Sequence, residues 1–195
     1  MPQKPKPRVL VAEDEAIIRL DLVETLRELG YDVVGAVGDG VKALELTRTL
    51  TPDLVLLDVS MPIMDGLTAA EQISQGRLAA VVMVTAFSQR EVVERAAAAG
   101  AMGYVVKPYS GADLVPAIEL ALSRFSEVVA LEQEVSDLSE RLKARALVER
   151  AKGILMSQQG LSEPEAFATI QRTAMDSRTS MSSVAEAILR TEIAG

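Results

Sequence analysis

Cysteine, histidine and tryptophan are absent from the 195 residues. Without cysteine there is no disulfide, no thiolate nucleophile and no thiolate metal ligand. Without histidine there is no imidazole for acid–base chemistry and no ordinary zinc site. Chemistry is left to carboxylates, hydroxyls and lysine, which suit a hard cation such as Mg2+ and a phosphate. Long hydrophobic runs are also missing. The longest, Leu78 to Ala86 with Thr85 inside it, falls well short of the roughly 20 residues that cross a bilayer. Met1 to Arg8 is basic and proline-rich with no apolar stretch behind it, so no export signal is expected, and a cytoplasmic protein with no membrane partner is. Positive charge is in deficit too, 20 Lys+Arg against 28 Asp+Glu for a net −8. Taken over the whole chain, that balance argues against nucleic acid.

What is present is an alternation of short apolar runs with amphipathic stretches. Strands are expected at Arg8–Ala12, Tyr31–Val37, Leu54–Leu57, Ala79–Val84 and Gly103–Val106. Helices are expected at Ala16–Leu29, Val41–Leu50, Leu67–Gln75 and Arg90–Ala99, with a long one from Gly111; Gly30 and Gly100 stop two of them. Five apolar strands alternating with five helices predict a doubly wound α/β domain, a five-stranded parallel sheet of flavodoxin-like type. The pattern stays helical to Gln159. Ser162-Glu-Pro-Glu165 reads as a capping box opening a helix to about Asp176, and Thr179 or Ser180 can cap a last helix through Leu189. A small three-helix bundle therefore follows the long linker helix. The expected division is a flexible tail at 1–8, an α/β domain at 9–123, a helical linker at 124–134 and the bundle at 135–195. Within the long helix, Val128, Leu131, Val135, Leu138 and Leu142 repeat at spacings of 3, 4, 3 and 4. That is a heptad seam two heptads long, compatible with a homodimer or with packing on the helix's own domain.

In a doubly wound sheet, ligands bind outside the carboxyl ends of the strands. Those ends carry Glu13-Asp14-Glu15, Asp58, Thr85-Ala86 and Lys107-Pro108. Asp14 and Asp58, with the carbonyl of Ser60, make a plausible protein share of a Mg2+ site, and Glu13 can act through water. Asp58 follows four apolar residues and is placed to act as a nucleophile toward a phosphoryl donor. Lys107 can neutralise phosphoryl charge, and Thr85 can donate its hydroxyl to a phosphoryl oxygen. Each residue alone has a bland reading as a cap or a solvated charge; four strand ends with matching chemistry favour the functional one.

Residues 9 to about 123 resemble the receiver domain of two-component response regulators. The resemblance rests on Glu13/Asp14, on Asp53-Leu-Val-Leu-Leu-Asp58-Val-Ser-Met-Pro-Ile-Met-Asp-Gly66, on Thr85-Ala86, and on Gly103-Tyr-Val-Val-Lys107-Pro108. It implies phosphoryl transfer from a phosphohistidine of a sensor kinase to Asp58, with Thr85 and Tyr104 as a coupled switch and a cis peptide before Pro108. The absence of histidine places the donor on another protein. Glu13 stands where aspartate is common in receivers.

Leu147-Val-Glu-Arg-Ala-Lys-Gly-Ile-Leu-Met156, with Glu165-Ala-Phe167, Ala174-Met175 and Val184-Ala185, resembles the ANTAR domain, an RNA-binding module. The receiver-then-ANTAR order is similar to that of phosphorylation-dependent transcription antitermination regulators of actinobacteria. The resemblance implies binding to paired hairpins in nascent transcripts; joined to the Asp58 constellation through the heptad helix, it leads to the expectation that phosphorylation promotes a homodimer whose two bundles engage two hairpins. From the residues alone, Ile154, Leu155, Phe167, Ile170, Met175, Val184 and Leu189 are expected in the bundle core, with Ala151 and Gly153 allowing close helix approach. Arg150, Lys152, Arg172, Arg178 and Ser180 are the candidate RNA contacts, or else a solvated helix face. A DNA-binding response regulator and a protein-interaction adaptor are the alternatives. The stretch after Ser180 disfavours the first, holding only Arg190 against Glu186 and Glu192. No separate enzymatic output is expected. The charge divides accordingly: residues 1–135 hold 12 basic and 20 acidic groups, residues 136–195 hold 8 of each, so the acidic excess lies entirely in the first part.

Overall fold

The computed structural model describes residues 5–86 and 90–193. They fall into two compact units, Met1–Val129 and Ala130–Gly195. The first is built from β1 (Arg8–Ala12), α1 (Ala16–Glu28), β2 (Asp32–Val37), α2 (Gly40–Leu50), β3 (Leu54–Asp58), α3 (Gly66–Gln75), β4 (Ala80–Thr85), α4 (Arg90–Ala98) and β5 (Gly103–Val106). A 49-residue helix, α5 (Gly111–Gln159), begins in it and ends in the second unit, where α6 (Glu163–Asp176) and α7 (Met181–Ile193) complete the chain's elements. Among the described residues, no helix is long and apolar enough to cross a membrane.

All strand pairings are parallel, in the order β2-β1-β3-β4-β5. Alternation along the strands splits the core into two layers. Leu10, Val55, Leu57, Val81 and Met83 face one way, onto Ala43, Leu44, Ala70 and Ile73 of α2 and α3. Val9, Val11, Leu54, Leu56, Val82 and Val84 face the other, onto Leu22 and Leu26 of α1 and Leu114 and Ile118 of α5. Because both faces are covered, every residue of β3 and β4 is buried, and this is why these strands read as unbroken apolar runs. Chain order reverses between β1 and β3, so the crevice for a ligand opens at their carboxyl ends.

The second unit packs Ala151 and Leu155 of α5, Ala166, Ile170 and Ala174 of α6, and Val184 and Ala185 of α7 into one small core. Its contact positions are mostly alanine, which lets the helix backbones approach closely. Ser162 opens α6 as expected: its amide N–H and its hydroxyl both donate to the Glu165 carboxylate. Ser180 opens α7, its Oγ accepting the Ser183 N–H at 3.1 Å.

Four expectations need correction. Arg8, counted both in the tail at 1–8 and at the start of the first strand, belongs to β1 as the strand expectation had it, and its N–H donates to Asp53 Oδ2 at 2.7 Å; residues 1–4 of that tail lie outside the described residues. Helix α7 extends past Leu189 to Ile193. Phe167 and Met175 are outside the bundle core, 43% and 72% exposed, because the buried stripe of α6 is Ala166, Ile170 and Ala174. Gly153 is exposed and a Cβ there would meet nothing, so only Ala151 serves close packing.

Candidate functional site

The carboxyl ends of β1, β3 and β5 bring their charged residues together. Lys107, just past β5, places its ammonium 2.7 Å from Asp58 Oδ1 and 2.6 Å from Glu13 Oε2. Glu13 and Asp58 are almost fully buried, and Lys107 keeps a sixth of its side chain exposed. Asp14 is exposed, and one carboxylate oxygen from each of Glu13, Asp14 and Asp58 lies within 4.8 Å of the others. The second oxygen of Asp58 accepts the Ser60 N–H at 2.7 Å, which fixes the carboxylate's rotation. Thr85, 1% exposed, ends β4 beside this group, and its carbonyl accepts the Lys107 N–H at 2.8 Å. The Lys107–Pro108 peptide is cis.

Electrostatics follow from the crowding. Burial pushes the Glu13 carboxyl above its ordinary range, and the Asp58 charge adds to this against the opposing hydrogen bond from Lys107. Burial alone would lower the Lys107 ammonium, but hydrogen bonds to Asp58 and Glu13 together outweigh it and raise it. Three carboxylates facing one ammonium leave the pocket with excess negative charge. All the remaining donors are hard oxygens. That donor set fits a small divalent cation, which takes carboxylate and water oxygens.

Two supports were not legible as site residues. Arg19, one turn into α1, donates to the carbonyls of Glu13 and Asp14 and holds the acidic loop against the sheet. Gly66, at the start of α3, approaches β3 so closely that a Cβ would lie 1.8 Å from the Asp58 carbonyl oxygen. Its N–H closes the loop by donating to Val59 O at 3.0 Å. Gly66 was visible as the end of a motif, though its reason was not; Arg19 carried no sequence signal beyond a charge on a helix. Tyr104, on β5, is half-buried against the same core layer as Met83, and burial raises its hydroxyl above the ordinary phenol value.

Residues 9–119 match the response regulator receiver domain, and residues 136–189 match the ANTAR domain. This chain belongs to the response regulators, with a receiver domain followed by an ANTAR output domain. It is 60% identical over 184 residues to the transcriptional regulatory protein PdtaR of Mycobacterium tuberculosis, an alignment covering 94% of this chain and 90% of that protein. It is 35% identical over 117 residues to the chemotaxis protein CheY of Bacillus subtilis, covering 60% of this chain and 98% of the other. Among solved structures, the receiver domain of the putative response regulator NarL from M. tuberculosis matches with a TM-score of 0.59 and 32% identity, over 62% of this chain and 98% of that one. The CheX–CheY–BeF3–Mg2+ complex from Borrelia burgdorferi matches at 0.54 and 26% identity, over 57% and 85%. The receiver domain makes a kinase the upstream partner, and the ANTAR domain makes RNA the downstream one.

Of the RNA candidates, Arg150, Arg172 and Arg178 are exposed, and none has an ion-pair partner among the described residues. Lys152 is not an exposed contact. Its side chain is 8% exposed and donates to Glu163 at 2.7 Å while pairing with Glu149 at 2.9 Å, tying α5 to the start of α6. Hydrogen bonds to Glu163 and Glu149 raise its ammonium and keep it charged there. The Ser180 hydroxyl is occupied as the cap of α7.

Proposed function

We propose that Asp58 is the phosphoacceptor and that its phosphorylation controls an RNA-binding output acting in transcription antitermination. The observation that carries this reading is the convergence of Asp58, Glu13, Asp14 and Lys107 at the carboxyl ends of three strands, with Thr85 beside them. An Asp58 oxygen attacks the phosphorus of a kinase phosphohistidine. The P–O bond forms as the P–N bond breaks, and the imidazole nitrogen keeps that electron pair and takes a proton. Lys107 meets the incoming phosphoryl charge, Ser60 N–H holds the carboxylate in line, and the Thr85 hydroxyl is the donor for a phosphoryl oxygen. Glu13, Asp14 and Asp58 are the residues to hold Mg2+, with Ser60 offering its carbonyl; when bound, the ion neutralises phosphoryl charge. We read the chain as having no chemistry beyond forming and hydrolysing its own acyl phosphate. No helix fitted to span a membrane is found among the described residues, in keeping with a cytoplasmic regulator.

On the output side, Leu131, Val135, Leu138 and Leu142 of α5 are each at least half exposed along one stripe. An uncovered heptad stripe of this kind favours a second copy of the chain, so that two ANTAR units engage paired hairpins. The direct test is labelling by a small-molecule phosphodonor in Mg2+, read by intact mass. Wild type should gain one phosphoryl group, and Asp58→Asn none. Labelling of Asp58→Asn at wild-type level refutes the site. Gel-shift competition between a hairpin transcript and duplex DNA tests the output, and preference for duplex would transfer the reading to DNA.

A further inference from the structure

Helices α1, α4 and α5 are each followed by a glycine in the left-handed region, Gly30, Gly100 and Gly160. Helix α6 is followed instead by Arg178 at φ +49°. The Arg178 N–H donates to Met175 O and the Thr179 N–H to Ala174 O, a Schellman closure that any glycine would make with less strain. Helix α3 also ends on a left-handed arginine, Arg77, but its guanidinium donates back to Ser74 O at 2.8 Å. Arg178 has no such use: its side chain is exposed and no hydrogen bond or ion pair holds it among the described residues. A residue kept in a strained conformation without a structural return points to a role toward something outside the chain.

Beside Arg178 lies a cleft of about 530 Å³ between α6 and α7. Leu155 and Val184 lie in its lining with Thr173, Ser177, Thr179 and Ser183; Thr173 Oγ1 already donates to Thr169 O at 2.9 Å, and Ser183 Oγ is bonded to Ser180 Oγ at 2.8 Å. Ser177 and Thr179, which flank Arg178 in the chain, both line the cleft, so it opens next to this turn. The volume falls within the roughly 300–1,000 Å³ of small-ligand sites. The chemistry is a mostly apolar pocket for a planar group, hydroxyls for a sugar or base edge, and a cation for a phosphate. Arg190 is engaged by Glu186, while Arg178, like Arg150 and Arg172, has no ion-pair partner among the described residues; of these three it is the one flanked on both sides by residues that line the cleft.

We infer that this corner holds one unpaired nucleotide of the bound RNA, its phosphate on Arg178 and its base and ribose in the cleft. The inference rests on the RNA-binding reading above and adds where, and through which nucleotide state, the bundle grips. The cleft lining has no aromatic residue, so burial and hydroxyl contacts, rather than stacking, hold a base splayed out of a loop. Hydroxyls at the sugar also favour the 2′-OH of RNA over DNA.

The test uses the full chain against stem-loop RNAs with a randomised loop, measured by fluorescence anisotropy across salt concentrations. Arg178→Gly relieves the strained φ, so its thermal midpoint should equal or exceed wild type, while affinity falls about tenfold and the salt slope shrinks by about one. Arg178→Lys should recover part of the affinity. Ser183→Leu, which fills the cleft from an exposed position, should weaken binding by a similar factor, and the matching DNA stem-loop should bind more weakly than RNA. Arg178→Gly that binds RNA like wild type overturns this inference alone. If that variant instead loses self-association in sedimentation, the corner belongs to a second copy, which also overturns it. A wild-type chain that binds no RNA of the pool overturns the RNA reading together with the inference.

Discussion

Replacing Lys107 by Met keeps the aliphatic stem and removes the ammonium that meets Glu13 Oε2 at 2.6 Å and Asp58 Oδ1 at 2.7 Å. Three carboxylates whose oxygens approach within 4.8 Å then face one another without a counter-charge. The fold can tolerate that charge or take up a proton, and protonation sets the ceiling on the cost. Glu13 is 1% exposed and ordinarily titrates at 4.5. Keeping it neutral at pH 7 costs about 1.36 kcal/mol for each pH unit above that value, or about 3.4 kcal/mol. That agrees with the roughly 3–5 kcal/mol lost when one partner of a buried pair is removed. Burial already raises Glu13, and the variant loses the hydrogen bond that opposes it. A folded variant that takes up this proton holds it where the unfolded chain has released it. Its stability falls as pH rises, by up to about 1.4 kcal/mol per pH unit, and the deficit against wild type closes toward pH 4.5. Mg2+ should narrow the deficit as well, since a bound cation replaces the missing charge. The chain has no tryptophan, and its three tyrosines, Tyr31, Tyr104 and Tyr109, all lie in the receiver unit. Urea unfolding followed by tyrosine fluorescence thus reports that unit alone. With a slope of about 1.5 kcal/mol/M, the midpoint at pH 7 should drop by about 2 M. A deficit that stays constant between pH 5 and 7.5, or is unmoved by Mg2+, refutes the reasoning.

Two further outcomes follow from single contacts. Gly66→Ala puts a Cβ where the Asp58 carbonyl stands, at 1.8 Å, so the β3–α3 loop must open; the same tyrosine-detected unfolding should show a loss of about 3 kcal/mol or more, with phosphodonor labelling reduced in parallel. Leu138→Lys places a charge on the exposed α5 stripe and leaves the monomer's stability within about 0.5 kcal/mol. A symmetric dimer loses two buried leucines, about 3–6 kcal/mol, so sedimentation should show dimerisation weakened by at least about a hundredfold; unchanged self-association removes the seam from the proposal.

The order of the sheet elements and the residues at its carboxyl edge were legible in the chain because two signals are local. Runs such as Leu54–Leu57 are apolar on both faces, as a strand covered by helices must be, and Asp58 or Lys107 stands out by interrupting one. Gly30 and Gly100 punctuate helices through their own backbone preferences. The bundle was less legible. Phe167 and Met175 are apolar residues at helical spacing, yet the stripe Ala166, Ile170 and Ala174 took the core, so which apolar face of α6 turns inward was settled by packing against α5 and α7.

Sequence by itself therefore determined the strand–helix order and the acids and the lysine available for phosphoryl chemistry. Those properties depend on residue type and short spacing. Only the tertiary structure decided which charges meet. Lys107 reaches Glu13 across 94 positions and Asp58 across 49, and pairing at such separations depends on strand order. The same reason withdraws Lys152 from the RNA surface, because Glu163 lies on the next helix. It also leaves Arg178, no different in sequence from other exposed arginines, in a strained turn at the lip of a cleft.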